Sequence, residues 1–275
     1  MKAPPNPAIT KLSADYYMDN RTGEVKEFTH TTVRSESKES VSQSLRKLRD
    51  LINANVEQPE NVLWVTLTYQ ENMRDTKRLY EDFRRFWQRF KYYLKKQGEP
   101  TAEYIVAAEP QARGAWHLHG LFIFPEKAPF IPNAEMETLW KQGFTKTKSL
   151  HGVGNPGLYL TAYLGDMELG EAMAVGKQKG QLKEVQDAKG ESKAVVKGAR
   201  LHLYPAGFNL FRSSRGVKRP IEERTTEGEA MKLVENKELV YEKTISVTNG
   251  AGDVMNVINY RTYAAKKDEE RKGDT

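Results

Sequence analysis

Two apolar runs, AEYIVAA at 102–108 and WHLHGLFIF at 116–124, constrain this chain most. Both are rich in β-branched and aromatic residues and are short, so both read as buried strands. Only EPQARGA separates them. That link is turn-rich and too short for a crossover, so the runs are expected to pair as an antiparallel hairpin. NVLWVTLTY at 61–69 adds a third buried strand and 144–149 a fourth, short one.

Helices interleave with these strands. Val41, Leu45, Leu48 and Ile52 recur at helical steps, with Arg46, Lys47 and Arg49 on the other faces, and Asn53 and Asn55 end the pattern. A longer helix over about 75–96 carries the stripe Leu79, Phe83, Phe86, Phe90 and Leu94. Residues 132–142 predict a short helix. Asn155-Pro156 starts another, expected to run to about Met173. The class that fits is α+β around an antiparallel sheet.

Outside these elements the pattern weakens. Residues 1–38 are polar without a sustained period. Residues 176–199, rich in Gly, Lys and Gln, predict an exposed mobile insertion. Ordered signals return at 200–220. Residues 239–247 and 254–263 predict a hairpin across TNGAGD, followed by a charged, fraying tail from Lys266.

Composition narrows the function classes. Of 275 residues, 38% are hydrophobic, enough for a real core, so full-length disorder is excluded. Cysteine is absent, which excludes disulfide scaffolds, thiolate zinc sites and Cys nucleophiles. Any metal must therefore be held by His, Asp or Glu. No apolar run approaches the about 20 residues of a membrane helix. MKAPPNPAITKLS has no apolar signal core, so no export and a cytoplasmic location are expected. The net charge of +6 is modest, so the clustering of cations matters more than their total.

The sharpest chemical feature is His117-Leu118-His119. Alternate strand residues share a face, so both imidazoles project together, Cα atoms about 7 Å apart, while Leu118 packs behind. Two hydrogen-bonded surface histidines are the plain alternative. Glu109 ends the preceding strand, where folding across the turn brings its carboxylate beside the rings. Two imidazoles and a carboxylate suit an open divalent-cation site. Tyr159 and Tyr163, four apart on a helix, present hydroxyls on one face, either as core packing or as nucleophiles toward a phosphodiester.

H-x-H followed by a helix bearing tyrosines resembles the HUH endonucleases, specifically initiators of rolling-circle replication of the plasmid and phage type. LWVTLTY at 63–69 resembles that family's first motif, GAWHLHGLFIF at 114–124 its second and GLYLTAYLGD at 157–166 its third. FNLFRSSRGVKRP at 208–220 is similar to a segment near the end of the nuclease domain. The resemblance implies a central five-stranded antiparallel sheet with flanking helices, the nuclease domain at 58–220. Residues 1–57 form an N-terminal extension with a basic helix, and 221–275 a C-terminal hairpin and tail. It implies His117, His119 and Glu109 as ligands of Mg²⁺ or Mn²⁺, with Tyr159 and Tyr163 as nucleophile candidates. Many relatives carry a lysine three residues after a motif tyrosine. Here Ala162 and Asp166 stand at those positions, and a cation from the 177–200 segment is one replacement.

The implied activity is metal-dependent nicking and rejoining of single-stranded or hairpin origin DNA through a 5′-phosphotyrosyl link that leaves a 3′-hydroxyl primer. Arg84, Arg85, Arg89, Arg212, Arg215 and Lys218 are the candidate DNA-binding cations. Trp64, Tyr92 and Tyr93 are read first as packing and only second as base-stacking groups. No P-loop motif occurs, so strand separation falls to a host helicase and extension to a host polymerase. Two other readings stand beside this one. One is a DNA-binding replication or regulatory protein that does not cut, and the other a His₂-carboxylate enzyme acting on a small molecule.

Overall fold

The computed structural model describes residues 9–28, 38–150, 153, 155–177, 179–186, 192–205, 207–248 and 254–265. The side chain of Tyr163 and the tail from Lys266 lie outside the described residues. The chain divides into two compact units, Met1–Pro220 and Ile221–Thr275.

The first unit begins with a three-stranded antiparallel meander, β1 (Ile9–Lys11), β2 (Tyr16–Asp19) and β3 (Val25–Glu27). Helix α1 (Lys38–Asn53) follows, then β4 (Val62–Leu67) and α2 (Thr76–Gln97). Next come β5 (Glu103–Pro110), β6 (Trp116–Ile123), α3 (Asn133–Trp140), β7 (Thr145–Lys148) and α4 (Pro156–Gly165). The unit continues with β8 (Met167–Glu168), α5 (Leu169–Ala174), β9 (Leu182–Gln186), β10 (Ser192–Val196) and β11 (Phe211–Ser213). The second unit holds α6 (Glu227–Leu233) and the long hairpin β12 (Lys237–Thr248) and β13 (Val254–Ala265).

The central sheet is five-stranded and antiparallel, in the order β11-β5-β6-β4-β7. Strand alternation divides its side chains between two cores. On one face Val65, Leu67, Leu118 and Phe122 meet Leu79, Phe83, Phe86, Phe90 and Leu94 of α2 and Trp140 of α3. On the other, Val62, Trp64, Ile105, Ala107 and Leu121 meet Leu48, Leu51 and Ile52 of α1 and Leu160 and Leu164 of α4. Because both faces are covered, these strands read as nearly continuous apolar runs.

Helix α2 has clear ends. Asp75 accepts from the N–H groups of Lys77 (2.8 Å) and Arg78 (3.2 Å), and Gly98, at φ +74°, closes the last turn. The α1–α4 contact depends on Gly157, where a Cβ would lie 2.7 Å from both the Arg49 carbonyl and Asn53 Oδ1. Asn155 caps α4 by accepting from Leu158 N–H at 2.8 Å.

Three expectations change. The helix begun at Pro156 stops at Gly165 instead of running to Met173. Asp166 turns extended because its carboxylate accepts from Gly198 N–H (2.9 Å) and its carbonyl from Arg200 Nε (3.1 Å). Within 176–199, β9 and β10 form a hairpin that pairs with β8, where Met167, Ala172 and Val196 bury a small core of their own. The meander at 9–27 and helix α6 were not anticipated, although Thr226 and Glu229 form a capping box at the start of α6. Among the described residues no helix is long and apolar enough to cross a membrane.

Candidate metal centre and tyrosine helix

His117 and His119 project from β6 toward the face covered by α1 and α4, the face that also carries Leu121, while Leu118 packs into the opposite core. In the β5–β6 register Glu109 stands opposite His117, and Ala107 opposite His119. The Glu109 carboxylate reaches diagonally, so that His119 Nε2–H donates to its Oε2 at 2.5 Å. Because a carboxylate only accepts, Nε2 carries the proton. In the neutral ring Nδ1 then accepts from the Thr66 hydroxyl at 3.3 Å. Thr66 faces His119 across the β4–β6 ladder.

A second group holds Glu109 from the other side. Arg200 Nη2 lies 3.2 Å from Glu109 Oε1 and 2.8 Å from Glu171 Oε2. Its Nη1 donates to the Pro110 carbonyl at 2.9 Å. Glu171 also accepts from Ala112 N–H at 3.0 Å, tying α5 to the β5–β6 turn. Arg200 is 5% exposed and Glu109 8%, so this ion cluster is buried.

The electrostatics follow from that burial. Burial alone pushes the Glu109 carboxyl up, but the His119 hydrogen bond and the charges of His119 and Arg200 outweigh it and hold the group below the ordinary carboxylate range. Burial pushes His117 down to about 4 against the opposing pull of Glu109, so its ring is neutral at neutral pH. The His117 ring makes no hydrogen bond among the described residues.

Among the described residues, no three His, Asp or Glu side chains already converge as a cation cage. The donor chemistry nonetheless suits a divalent cation. An ionised carboxylate and two imidazoles share one sheet face, His117 offers an uncommitted neutral ring, and Thr66 orients His119 from behind.

Helix α4 lies over this same face. Tyr159 is half-buried, its ring edge-on to Trp64 with centroids 5.0 Å apart, and Trp64 in turn stands 6.3 Å from the His119 ring. Trp64 is core, at 2% exposure. Tyr163 lies one turn further along α4, next to Leu164. The hydroxyl of buried Tyr204 donates to both the Leu164 carbonyl (3.0 Å) and the Ala108 carbonyl (2.8 Å), pinning that end of α4 beside the residue preceding Glu109.

The candidate DNA-binding cations fall in different surroundings. Arg84 and Arg212 are exposed beside a cavity at the start of α2. Arg85 lies 3.5 Å from Asp82 and 4.0 Å from Glu81. Arg89 donates to the Leu139 (2.7 Å) and Trp140 (3.2 Å) carbonyls and so holds the end of α3. Arg215 is exposed in the turn after β11, and Lys218 Nζ lies 3.2 Å from Glu57. Tyr92 is exposed, whereas Tyr93 packs against the α2 core.

Arg200, Glu171, Thr66 and Tyr204 were missed in the sequence, where each lies far from the residue it serves and carries no local motif. The position of Arg200 at the end of the basic 177–200 segment was the one available hint.

A family model described as Replication-associated protein ORF2 matches residues 62–168, under half of the chain. The matched stretch runs from β4 through α4 and contains Glu109, His117, His119, Tyr159 and Tyr163. This match supports a replication-associated protein. No curated protein and no solved structure matches the chain.

Proposed function

We propose that this protein initiates rolling-circle DNA replication by nicking and rejoining single-stranded origin DNA, the HUH-type nuclease domain lying at 58–220. The observation that carries the reading is the placement of Glu109, His117 and His119 on the sheet face over which the tyrosine helix α4 packs. The match to a replication-associated family over these same elements supports it.

In this reading His117, His119 and Glu109 hold Mg²⁺ or Mn²⁺. The bound cation supplies charge neutralisation at the non-bridging oxygens of the scissile phosphate. Thr66 keeps His119 in one tautomer, and Arg200 keeps the Glu109 carboxylate ionised and aimed. A tyrosine oxygen of α4 attacks phosphorus, losing its phenolic proton. The bond from phosphorus to the 3′-oxygen breaks, and that oxygen takes up a proton to leave a free 3′-hydroxyl. The 5′-phosphotyrosyl link conserves the bond, so a 3′-hydroxyl later reverses the step and reseals the strand. The Tyr204 bridge between Leu164 and Ala108 supports Tyr163 as the first nucleophile, because it brings that end of α4 to the Glu109 end of β5. Tyr159, packed on Trp64, is the second. A host helicase opens the duplex and a host polymerase extends the new end.

A second reading, DNA binding without cleavage, is favoured by one observation. Asp166 stands where relatives carry a lysine, and its carboxylate is committed to Gly198.

The deciding experiment mixes purified protein with labelled single-stranded DNA from its own replicon, with Mn²⁺ or EDTA, and runs a denaturing gel. A metal-dependent, SDS-resistant adduct that is lost in the Tyr159→Phe, Tyr163→Phe double variant is expected. Binding without an adduct would establish the second reading instead.

A further inference from the structure

A cavity of about 390 Å³ opens on the sheet face opposite the histidines, between the first turns of α2 and the chain leading into β11. Its size falls within the about 300–1,000 Å³ common for small-ligand sites. Lys77, Arg84 and Arg212 line it, all three exposed and none in an ion pair among the described residues. The one carboxylate on the wall, Glu81, has Arg85 at 4.0 Å. The N–H groups of Lys77 and Arg78 are taken by Asp75, so side-chain cations, and not the free helix end, give the cavity its charge.

The cavity is also organised. The Arg212 guanidinium lies 3.5 Å from the centroid of the Tyr80 ring, which fixes its direction at little further entropic cost. Tyr80 donates to the Asn209 carbonyl at 2.6 Å and stacks on Phe208, which in turn stacks on Trp116 at 4.8 Å. Next along the chain, the Leu210 carbonyl accepts from Ala108 N–H at 2.9 Å. The cavity wall is therefore built on the neighbour of Glu109. Only the thickness of the sheet and the edge of short β11 separate the cavity from the metal centre.

We infer that this cavity binds backbone phosphates of the single strand that flanks the cleaved bond, the strand passing over the β11 edge from one sheet face to the other. The inference rests on the replication-initiator reading and extends it to a second contact. Unpaired cations with one stacked guanidinium suit phosphate oxyanions, and three of them about an open cleft match a flexible backbone better than a single buried ion.

The test is fluorescence anisotropy of the full-length protein with labelled poly-dT, titrated between about 50 and 200 mM salt. The Lys77→Ala, Arg84→Ala, Arg212→Ala variant is compared with Lys95→Ala, Lys96→Ala, which removes charge at the far end of the same helix. Each lost single-strand phosphate contact lowers the slope of log K against log salt by about 0.7, so the cavity variant is expected to lose about 2 units of slope and at least tenfold in affinity. The far-end variant is expected to lose less than half as much. Lys77→Ala, Arg84→Ala alone, which leaves the Tyr80–Arg212 stack in place, is expected to lose about 1.4 units and serves if the triple variant does not fold. An unchanged slope, or equal losses in the two variants, overturns the inference. Tight binding of pyrophosphate or ATP that poly-dT does not displace would assign the cavity to a free phosphate compound and overturn it as well. The adduct gel is read separately: wild-type adduct with an unaltered slope rejects the cavity and keeps the initiator, whereas no adduct rejects the initiator.

Discussion

Arg200 and Glu109 are joined at 3.2 Å inside the protein, and that pair couples the β8–β9–β10 segment to the candidate metal centre. The guanidinium is held at the same time by Glu171 and the Pro110 carbonyl. The segment that looks like an insertion thus ends in a residue that fixes the carboxylate beside the two histidines.

Removing Arg200 leaves Glu109 and Glu171 without their shared cation. Breaking a buried pair from one side costs about 3–5 kcal/mol. Arg200→Met is expected to lower the urea midpoint of the metal-free protein accordingly. Glu171→Gln, which keeps one hydrogen bond to the guanidinium, is expected to lose less. Equal stability of Arg200→Met and wild type would show that the cluster is not held as described.

Gly157 determines how closely α4 approaches α1. A methyl group there meets the Arg49 carbonyl, which is backbone and cannot swing away. Gly157→Ala is expected to destabilise by about 1–3 kcal/mol and to shift the tyrosine helix. Thermal unfolding measures the first effect and the yield of DNA adduct the second.

Thr66 supports His119 from behind through the 3.3 Å contact with Nδ1. Losing such an outer contact typically weakens metal binding about 10–100-fold. Thr66→Val keeps the strand shape and is expected to weaken Mn²⁺ binding by about tenfold, read by electron paramagnetic resonance on protein without DNA. Unchanged affinity would remove Thr66 from the site.

The Tyr80 phenol is pushed up to about 12 by burial, against the opposing effect of Arg212. A folded-state value above the unfolded one of about 10 means a contribution fully present below pH 10 and lost as pH rises toward 12. Two pKa units correspond to about 3 kcal/mol. Stability is therefore expected to fall on the alkaline side, and Tyr80→Phe to flatten that limb in urea titrations across pH. The variant also loses the bond to the Asn209 carbonyl, about 1 kcal/mol at neutral pH.

Much of the fold was legible because its signals are local. The stripe from Leu79 to Leu94, Asp75 and Gly98 mark α2 within one residue, and the short EPQARGA link leaves the 102–108 and 116–124 runs little choice but a hairpin. The same alternation placed His117 and His119 on one face with Leu118 behind. Glu109 at the turn was legible for the same reason.

Contacts between residues distant in sequence decided the rest. Helix propensity carries 156–173 forward without a break. The bonds from Gly198 and Arg200 to Asp166 end the helix there, since tertiary hydrogen bonds outweigh a propensity of tenths of a kcal/mol per residue. Residues 182–196 lack the apolar alternation that announces strands, because β9 is exposed and only Val195 and Val196 of β10 are buried. The sequence alone determined the core strands, the main helices and the shared face of the two imidazoles, all set by side-chain periodicity. Only the tertiary structure decided that Arg200 meets Glu109, that Thr66 supports His119 and that α4 closes over them, because those contacts join segments whose local sequences carry no trace of one another.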